Sequence, residues 1–177
     1  CMAAVMLLAA LPILAVLFVL HKLVERDGGP FLYRGERLGK HRQPFTIYKV
    51  RTLAMHAEQS LAGSLHTSQS GMELKMGPFL RKTRLDELPQ LWNVVTGAMA
   101  LVGPRPVRRA VYDRVRAEIP NYDARFRMLP GLTGLSQFMT PHGTPKSIRA
   151  RIDSILVRKM SNPIWRLYIV LWTVLAV

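Results

Sequence analysis

The sequence predicts a mixed α+β protein, mostly helical, built on an apolar N-terminal helix and a small basic domain with a short β element. Three observations predict it. Cys1–Leu20 contains no charged residue. Leu85, Leu88, Leu91, Trp92 and Val95 recur at spacings of three and four, the mark of one buried helix face. Phe45, Ile47 and Lys49 alternate with Thr46, Tyr48 and Val50, the mark of a short strand.

Composition narrows the class. The chain has 177 residues, 49% of them hydrophobic, and a net charge of +14. That length suits one domain with a modest core. Arg166 is the sole charged residue in Cys1–Leu20 and Trp165–Val177 together, so +13 of the charge lies between them. A basic middle between apolar ends suits an anionic membrane surface or a soluble polyanion. Nucleic-acid binding finds no recognition motif to support it, and aromatic residues are few. The single cysteine, Cys1, has no internal disulfide partner, which fits a reducing compartment.

Taken in order, Cys1–Leu20 as a straight helix would reach roughly 30 Å, enough to cross a bilayer. Pro12 stands in the middle of it, removing one helix hydrogen bond and crowding the carbonyl of Leu8. A kinked spanning helix and a re-entrant helix-break-helix both follow from these residues. A cleaved signal peptide does not fit, since no basic start and no small-residue cleavage site precede His21. Lys22 and Arg26 mark the side that follows as cytoplasmic. Asp27–Pro30 reads as a turn, and the strand over residues 45–50 comes next. Ala54–Pro78 is rich in Ser, Gly, Thr and Gln and reads as a mobile connection or lid. Its histidines, His56 and His66, have no zinc-site spacing.

Arg81–Pro106 follows, with the adjacent carboxylates Asp86 and Glu87 between basic residues on both sides. Thr83 with Asp86 three residues later fits a helix-start signature, whereas Pro89 moves the regular helix toward Glu87. Either start places both carboxylates at a helix N-terminus, where the helix dipole favours negative charge. Gly97 is a helix stop. Val107–Ile119 is a basic amphipathic helix with Val111, Val115 and Ile119 four apart, ended by Pro120. The glycines of Pro130–Gln137 permit close backbone approach to a ligand. Lys146–Met160 is a second basic helix with Ile148, Ile152 and Ile155 on one face and Asp153 as its acid. Ser161–Asn162–Pro163 opens a last helix with Trp165, Tyr168 and Trp172 on one face. Thirteen residues, Trp165–Val177, are too few to span, and the aromatics suit headgroup depth.

Two blocks carry a family resemblance: Leu85–Leu91, Leu-Asp-Glu-Leu-Pro-Gln-Leu, and Leu101–Pro106, Leu-Val-Gly-Pro-Arg-Pro. They resemble the signature of bacterial sugar transferases, the small monotopic phosphoglycosyl transferases. The likeness extends upstream through Gly29, Pro30, Glu36, Arg37, Gly39, Phe45, Lys49, Arg51 and Thr52, then through Gly77, Phe79, Leu80 and Arg81. Downstream it takes in Pro130, Gly131, Leu132, Thr133, Gly134 and Gln137. The sequence departs from the pattern at Leu11 (for the serine before the membrane proline), Gly35 (for glutamine), Leu74, Pro78, Ala98, Ala100 and Met139–Pro141, where an Asn-Gly-Arg is usual.

The resemblance implies an architecture and a reaction. Residues 1–26 would be a re-entrant membrane helix broken at Pro12, 27–164 a cytosolic catalytic domain, and 165–177 an interfacial helix. The protein would lie in a bacterial inner membrane with its catalytic domain on the cytoplasmic face. It would take a phosphosugar from a UDP-sugar, release UMP, and pass the phosphosugar to a polyprenyl phosphate such as undecaprenyl phosphate. That step starts exopolysaccharide, O-antigen or capsule synthesis. Asp86 is the implied nucleophile and, with Glu87, the Mg²⁺ site. Arg81, Arg105, Arg108, Lys49, Arg51 and Gln137 are the implied substrate and phosphate ligands. Arginine suits this because its planar fork holds phosphate oxygens bidentately. A carboxylate can attack phosphorus once cations offset the repulsion. The departures motivate a second expectation, an inactive homologue that binds polyprenyl phosphate or anionic lipid. Assembly as a homodimer is left open by the sequence.

Overall fold

The computed structural model describes residues 2–55, 57, 72–134, 136, 139–140, 144, 146–160, 162, 164–165, 167–169 and 171. His56, His66, Gln137, Pro141, Pro163 and Trp172 lie outside the described residues, as does most of the connection expected between Ala54 and Pro78. The chain divides into two compact units. The first comprises Cys1–Gly35 and Thr46–Val95, the second Glu36–Phe45 and Thr96–Val177. Helices and short strands mix in both, with helix predominating.

The first unit opens with helix α1, Met2–Val24, roughly 35 Å long at 1.5 Å per residue. Pro12 lies inside it and does not interrupt it, so the expected break leaves the helix continuous. Ala3, Ala10, Leu17 and His21 are buried, at spacings of seven and four that keep them on one face. The rest of the surface is apolar and exposed, including Val5, Leu8, Leu11, Val16 and Leu23. Two strands follow, β1 (Leu32–Leu38) and β2 (Pro44–Val50), paired with each other. The sequence pattern gave only the second; β1 carries Arg34, Gly35, Glu36 and Arg37 and owes its conformation to pairing with β2. Leu17, Val50 and Leu80 form the core here, with Leu14, Phe31, Met76 and Leu85 packed against them.

The C-terminal end of α1 is tied to this core by polar contacts. His21 Nε2 lies 3.2 Å from the Arg51 carbonyl. The Glu25 carboxylate accepts from the Met76 N–H at 2.8 Å, and Lys22 Nζ donates to the Gly29 carbonyl at 3.1 Å. Arg51 grips Asp27 with both ends of its guanidinium, at 2.6 and 2.8 Å.

Helix α2 spans Gly77–Thr83, with Pro78 in its first turn, where a missing N–H is harmless. Thr83 is its last residue, and its hydroxyl donates back to the Phe79 carbonyl at 2.9 Å. It therefore ends a helix rather than starting one, correcting the capping signature. Arg84 turns left-handed at φ 57°, a 3₁₀ turn occupies Leu85–Glu87, and helix α3 runs only from Gln90 to Val95. The carboxylates thus sit on a tight turn one step before the regular helix, because Pro89 excludes an earlier start. Gly97, at φ +79°, stops α3 as expected.

In the second unit, strands β3 (Ala100–Val102) and β4 (Gly131–Thr133) pair in parallel. A side chain on Gly131 would meet the backbone of Gly103, and one on Gly103 the Leu129 carbonyl at 2.6 Å. Gly131 therefore serves the close approach of two chain segments to each other. Helix α4 covers Arg109–Val115, shorter than the predicted Val107–Ile119. Val115 and Ile119 still point inward, joining Leu38, Tyr112, Tyr122 and Phe126 in one core. Helix α5, Lys146–Lys159, matches its predicted range. Its buried face is another matter: Ile148 and Ile155 are exposed, while Asp153, Leu156 and Met160 are buried. Beyond it, the Asn162 side chain accepts from the Ile164 N–H at 2.9 Å, a helix-start bond. Trp165 and Tyr168 pack edge to face at 5.7 Å.

Candidate active site

The site begins with the turn after α2. The left-handed Arg84 swings the chain so that Asp86 points inward while Glu87 follows at the next position. Asp86 is 7% exposed, and an apolar surrounding would make its charge expensive without a partner. Lys49, from the interior-facing side of β2, supplies one: its Nζ lies 2.6 Å from Glu87 Oε1 and 3.8 Å from Asp86 Oδ2. Two carboxylates against one ammonium leave a formal negative charge on the trio, which suits a further cation. A Mg²⁺ ion takes few carboxylate oxygens and keeps its other positions for water and substrate phosphates. The Asp86–Glu87 pair fits that demand. Among the described residues no larger cluster of His, Cys, Asp and Glu side chains offers an all-protein metal cage.

Helix α3, which follows this pair, keeps Leu91 of its apolar pattern buried and departs from the rest. Trp92 and Val95, predicted to be buried, are 53% and 38% exposed. Gln90 and Asn93 are 2% and 3% exposed instead. Asp86, Gln90 and Asn93 stand four and three apart, so a polar stripe faces inward from the same side as the acid. Asn93 was not singled out from the sequence; that stripe was the available signal.

The other predicted residues of this unit divide. Arg81 donates to Glu73 Oε1 at 2.6 Å and to Thr52 Oγ1 at 3.2 Å, and its side chain stays 26% exposed. Arg51 is engaged with the chain itself. Besides Asp27 it binds the Pro30 carbonyl at 2.7 Å and the Leu53 carbonyl at 3.2 Å, and its side chain is 6% exposed. Its donors hold the turn between α1 and β1. The same clasp holds Asp27 well below the ordinary carboxylate range, down to about 2, chiefly through the hydrogen bond from Arg51.

Arg105 and Arg108 belong to the second unit. Arg105 lies in the bend after β3, and the buried Arg125 donates to its carbonyl at 2.6 Å. The same guanidinium meets Asp153 Oδ2 at 3.0 Å and the Tyr122 hydroxyl at 2.9 Å. Asp153 is therefore the buried counter-ion of Arg125. Burial pushes its carboxyl above the ordinary range, while Arg125 pulls the other way. Arg108 precedes α4 in extended conformation, and Gln137 lies outside the described residues.

Comparison with known proteins gives the family. The family model described as bacterial sugar transferase matches residues 1–177, and the chain belongs to that family. It is 37% identical over 163 residues to a UDP-galactose-lipid carrier transferase of Erwinia amylovora, covering 84% of this chain and 34% of that one. It is 41% identical over 152 residues to a UDP-glucose:undecaprenyl-phosphate glucose-1-phosphate transferase of Caulobacter vibrioides, covering 82% and 56%. With an undecaprenyl-phosphate galactose phosphotransferase of Salmonella typhimurium the figures are 36% over 149 residues, 76% and 31%. The chain thus spans from about a third to just over half the length of these relatives.

Proposed function

We propose that the chain is a phosphoglycosyl transferase of a bacterial inner membrane, moving a phosphosugar from a UDP-sugar to a polyprenyl phosphate. The observation that carries this reading is the buried Asp86 and half-buried Glu87 held against Lys49, in the same unit as a helix whose apolar residues Val5, Leu8, Leu11, Val16 and Leu23 are exposed. The names of the relatives supply the substrates: a lipid carrier or undecaprenyl phosphate as acceptor, and UDP-galactose or UDP-glucose as donor.

In this reading an Asp86 carboxylate oxygen attacks the sugar-bearing phosphorus of the donor. The bond from that phosphorus to the bridging oxygen breaks, and UMP leaves with the oxygen. A phosphate oxygen of the polyprenyl phosphate then attacks the same phosphorus, forming the diphosphate link and restoring the Asp86 carboxylate. Positioning and charge supply most of the acceleration in such transfers. Glu87 and Asp86 would hold Mg²⁺, which when bound neutralises phosphate charge. Lys49 offsets the charge of the acid pair beside the incoming phosphates, and Arg81, whose side chain is 26% exposed, is taken as a phosphate ligand. Arg105, Arg108 and Gln137 enter the reading through the family motif.

The lipid tail of the acceptor cannot leave the bilayer cheaply, at about 0.8 kcal/mol per CH₂, so the site must work at headgroup level on the cytoplasmic face. Helix α1 suits that task. Its buried positions run from Ala3 to His21, along nearly its whole length. The re-entrant, monotopic placement, with Pro12 near the deepest point, enters the reading through the family resemblance.

The inactive-homologue reading draws on the departures from the family pattern, and the fold accommodates three of them. Pro78 occupies the first turn of α2, Leu74 is buried, and the space beside Gly35 is filled by the Tyr33 hydroxyl. The deciding experiment incubates the purified protein with a UDP-sugar panel and Mg²⁺, then maps covalent phosphosugar by mass spectrometry. The transferase reading expects UMP release, an adduct on Asp86, and loss of roughly 10³-fold or more in Asp86→Asn. UMP release that survives in Asp86→Asn would refute the assignment of the nucleophile.

A further inference from the structure

We infer that Asn93 is a positioning residue whose amide clasps the free edge of β2 and thereby sets Lys49 against Asp86 and Glu87. The inference rests on the transferase reading for its catalytic consequence but not for its geometry. Arg51 N–H bonds the Phe31 carbonyl at 2.9 Å across the β1–β2 hairpin. In an antiparallel ladder the bonding direction alternates every residue, so odd positions of β2 face β1. The peptide groups at Thr46 and Tyr48 therefore face away from it. Such groups need partners where they are shielded from water.

Asn93 supplies both. Its Oδ1 accepts from the Tyr48 N–H at 3.2 Å, and its Nδ2 donates to the Thr46 carbonyl at 2.7 Å. One side chain thus imitates the peptide of a third strand. An amide is the group that can do so, since it carries a donor and an acceptor side by side. Asn93 lies two turns after Asp86 on the inward stripe, and Lys49 follows Tyr48 directly. The clasp therefore joins the helix that directly follows the acids to the strand that bears their counter-ion. The clasp acts beside the Lys49 ion pairs in holding β2 against α3.

The test compares wild type, Asn93→Ala, Asn93→Asp, Lys49→Met, the Asn93→Ala/Lys49→Met double variant and Ile119→Ala, all as full chains in lipid nanodiscs. Ile119→Ala loosens the core of the other unit and controls for plain loss of stability. The first readout is the rate of reductive methylation of the Lys49 amine, followed by peptide mass spectrometry. We expect a several-fold rise in Asn93→Ala and none in Ile119→Ala. The second readout is UMP release. We expect kcat to fall roughly 10- to 100-fold in Asn93→Ala, with KM for the donor within about threefold of wild type. Added to Lys49→Met, the Asn93 change should cost little more, since both act through one contact. Asn93→Asp keeps the size and the acceptor but sets a carboxylate against the Thr46 carbonyl, so it should move both readouts the same way if Asn93→Ala fails to fold. Wild-type methylation and kcat in both Asn93 variants, with only a lower Tm, would overturn the proposal. If even wild type releases no UMP, the transferase reading falls, and the methylation arm still decides whether Asn93 sets Lys49.

Discussion

Asp27 and Arg51 show how a residue recruited by motif can belong to the scaffold. Arg51 stands in the Lys-x-Arg-Thr segment, two positions after Lys49, and nothing in its spacing distinguishes a ligand of phosphate from a ligand of the chain. The distinction lies in Asp27, twenty-four positions away, which no local pattern connects to it. The clasp has a pH signature. Asp27 titrates at about 2 in the fold against an ordinary 3.8. A carboxyl lowered on folding contributes stability that is present above its unfolded value and lost as pH falls through the folded one. The full shift would correspond to about 2.4 kcal/mol, and the one-third exposure of Asp27 reduces the expected contribution to about 1 kcal/mol. Denaturation in detergent from pH 5 to pH 2 should therefore show Asp27→Asn losing about 1 kcal/mol less than wild type. Equal pH slopes for the two proteins would remove the clasp from the stability of this unit.

At the scale of elements, the sequence was most legible where backbone chemistry decides and least where burial does. Gly97 stops α3, Lys146–Lys159 is helical, and the alternation over residues 45–50 is a strand, because each depends on local dihedral preference or period. The inward faces were misassigned in α3 and α5 for one physical reason. Apolar repeats identify the core only when the surroundings are water. In α3 a polar demand decides instead: Asn93 turns inward to bond the peptide groups of β2, and Trp92 and Val95 are left outside. Strand β1 was missed because its charged sequence resists strand formation until β2 pairs with it. The turn at Asp86 was displaced by Arg84, whose left-handed φ has no reliable sequence mark. Gly97 offers a clean test of the local kind of reasoning. A side chain there would meet nothing within 4 Å, so Gly97→Ala should cost only the backbone penalty of φ +79°, about 1 kcal/mol. For a chain of this size that is a fall of roughly 2–4 °C in Tm, with UMP release per folded molecule unchanged.

For the whole molecule, the question is how a chain with a net charge of +14 can be organised around a helix without a charge over its first twenty positions. In solution the exposed apolar face of α1 would be a severe aggregation liability; in a bilayer it is the favourable surface. The two faces of the helix then answer to different solvents, and adjacent residues separate them. Leu11 is 50% exposed, whereas Ala10 is 5% exposed. Leu11→Arg places a charge on the lipid side and should weaken membrane partition by about 2.5–3.5 kcal/mol if that position reaches the bilayer interior. The assay is the fraction of protein retained on vesicles after an alkaline carbonate wash. Ala10→Leu adds apolar volume on the protein side. It should leave retention intact while lowering Tm, because overpacking a filled interface costs about 1–3 kcal/mol. The two substitutions thus separate membrane affinity from folding within a single turn of helix. Retention that falls equally in both, or in neither, would mean that α1 does not present one face to lipid and the other to protein, and the placement of Asp86 at headgroup height would lose its anchor.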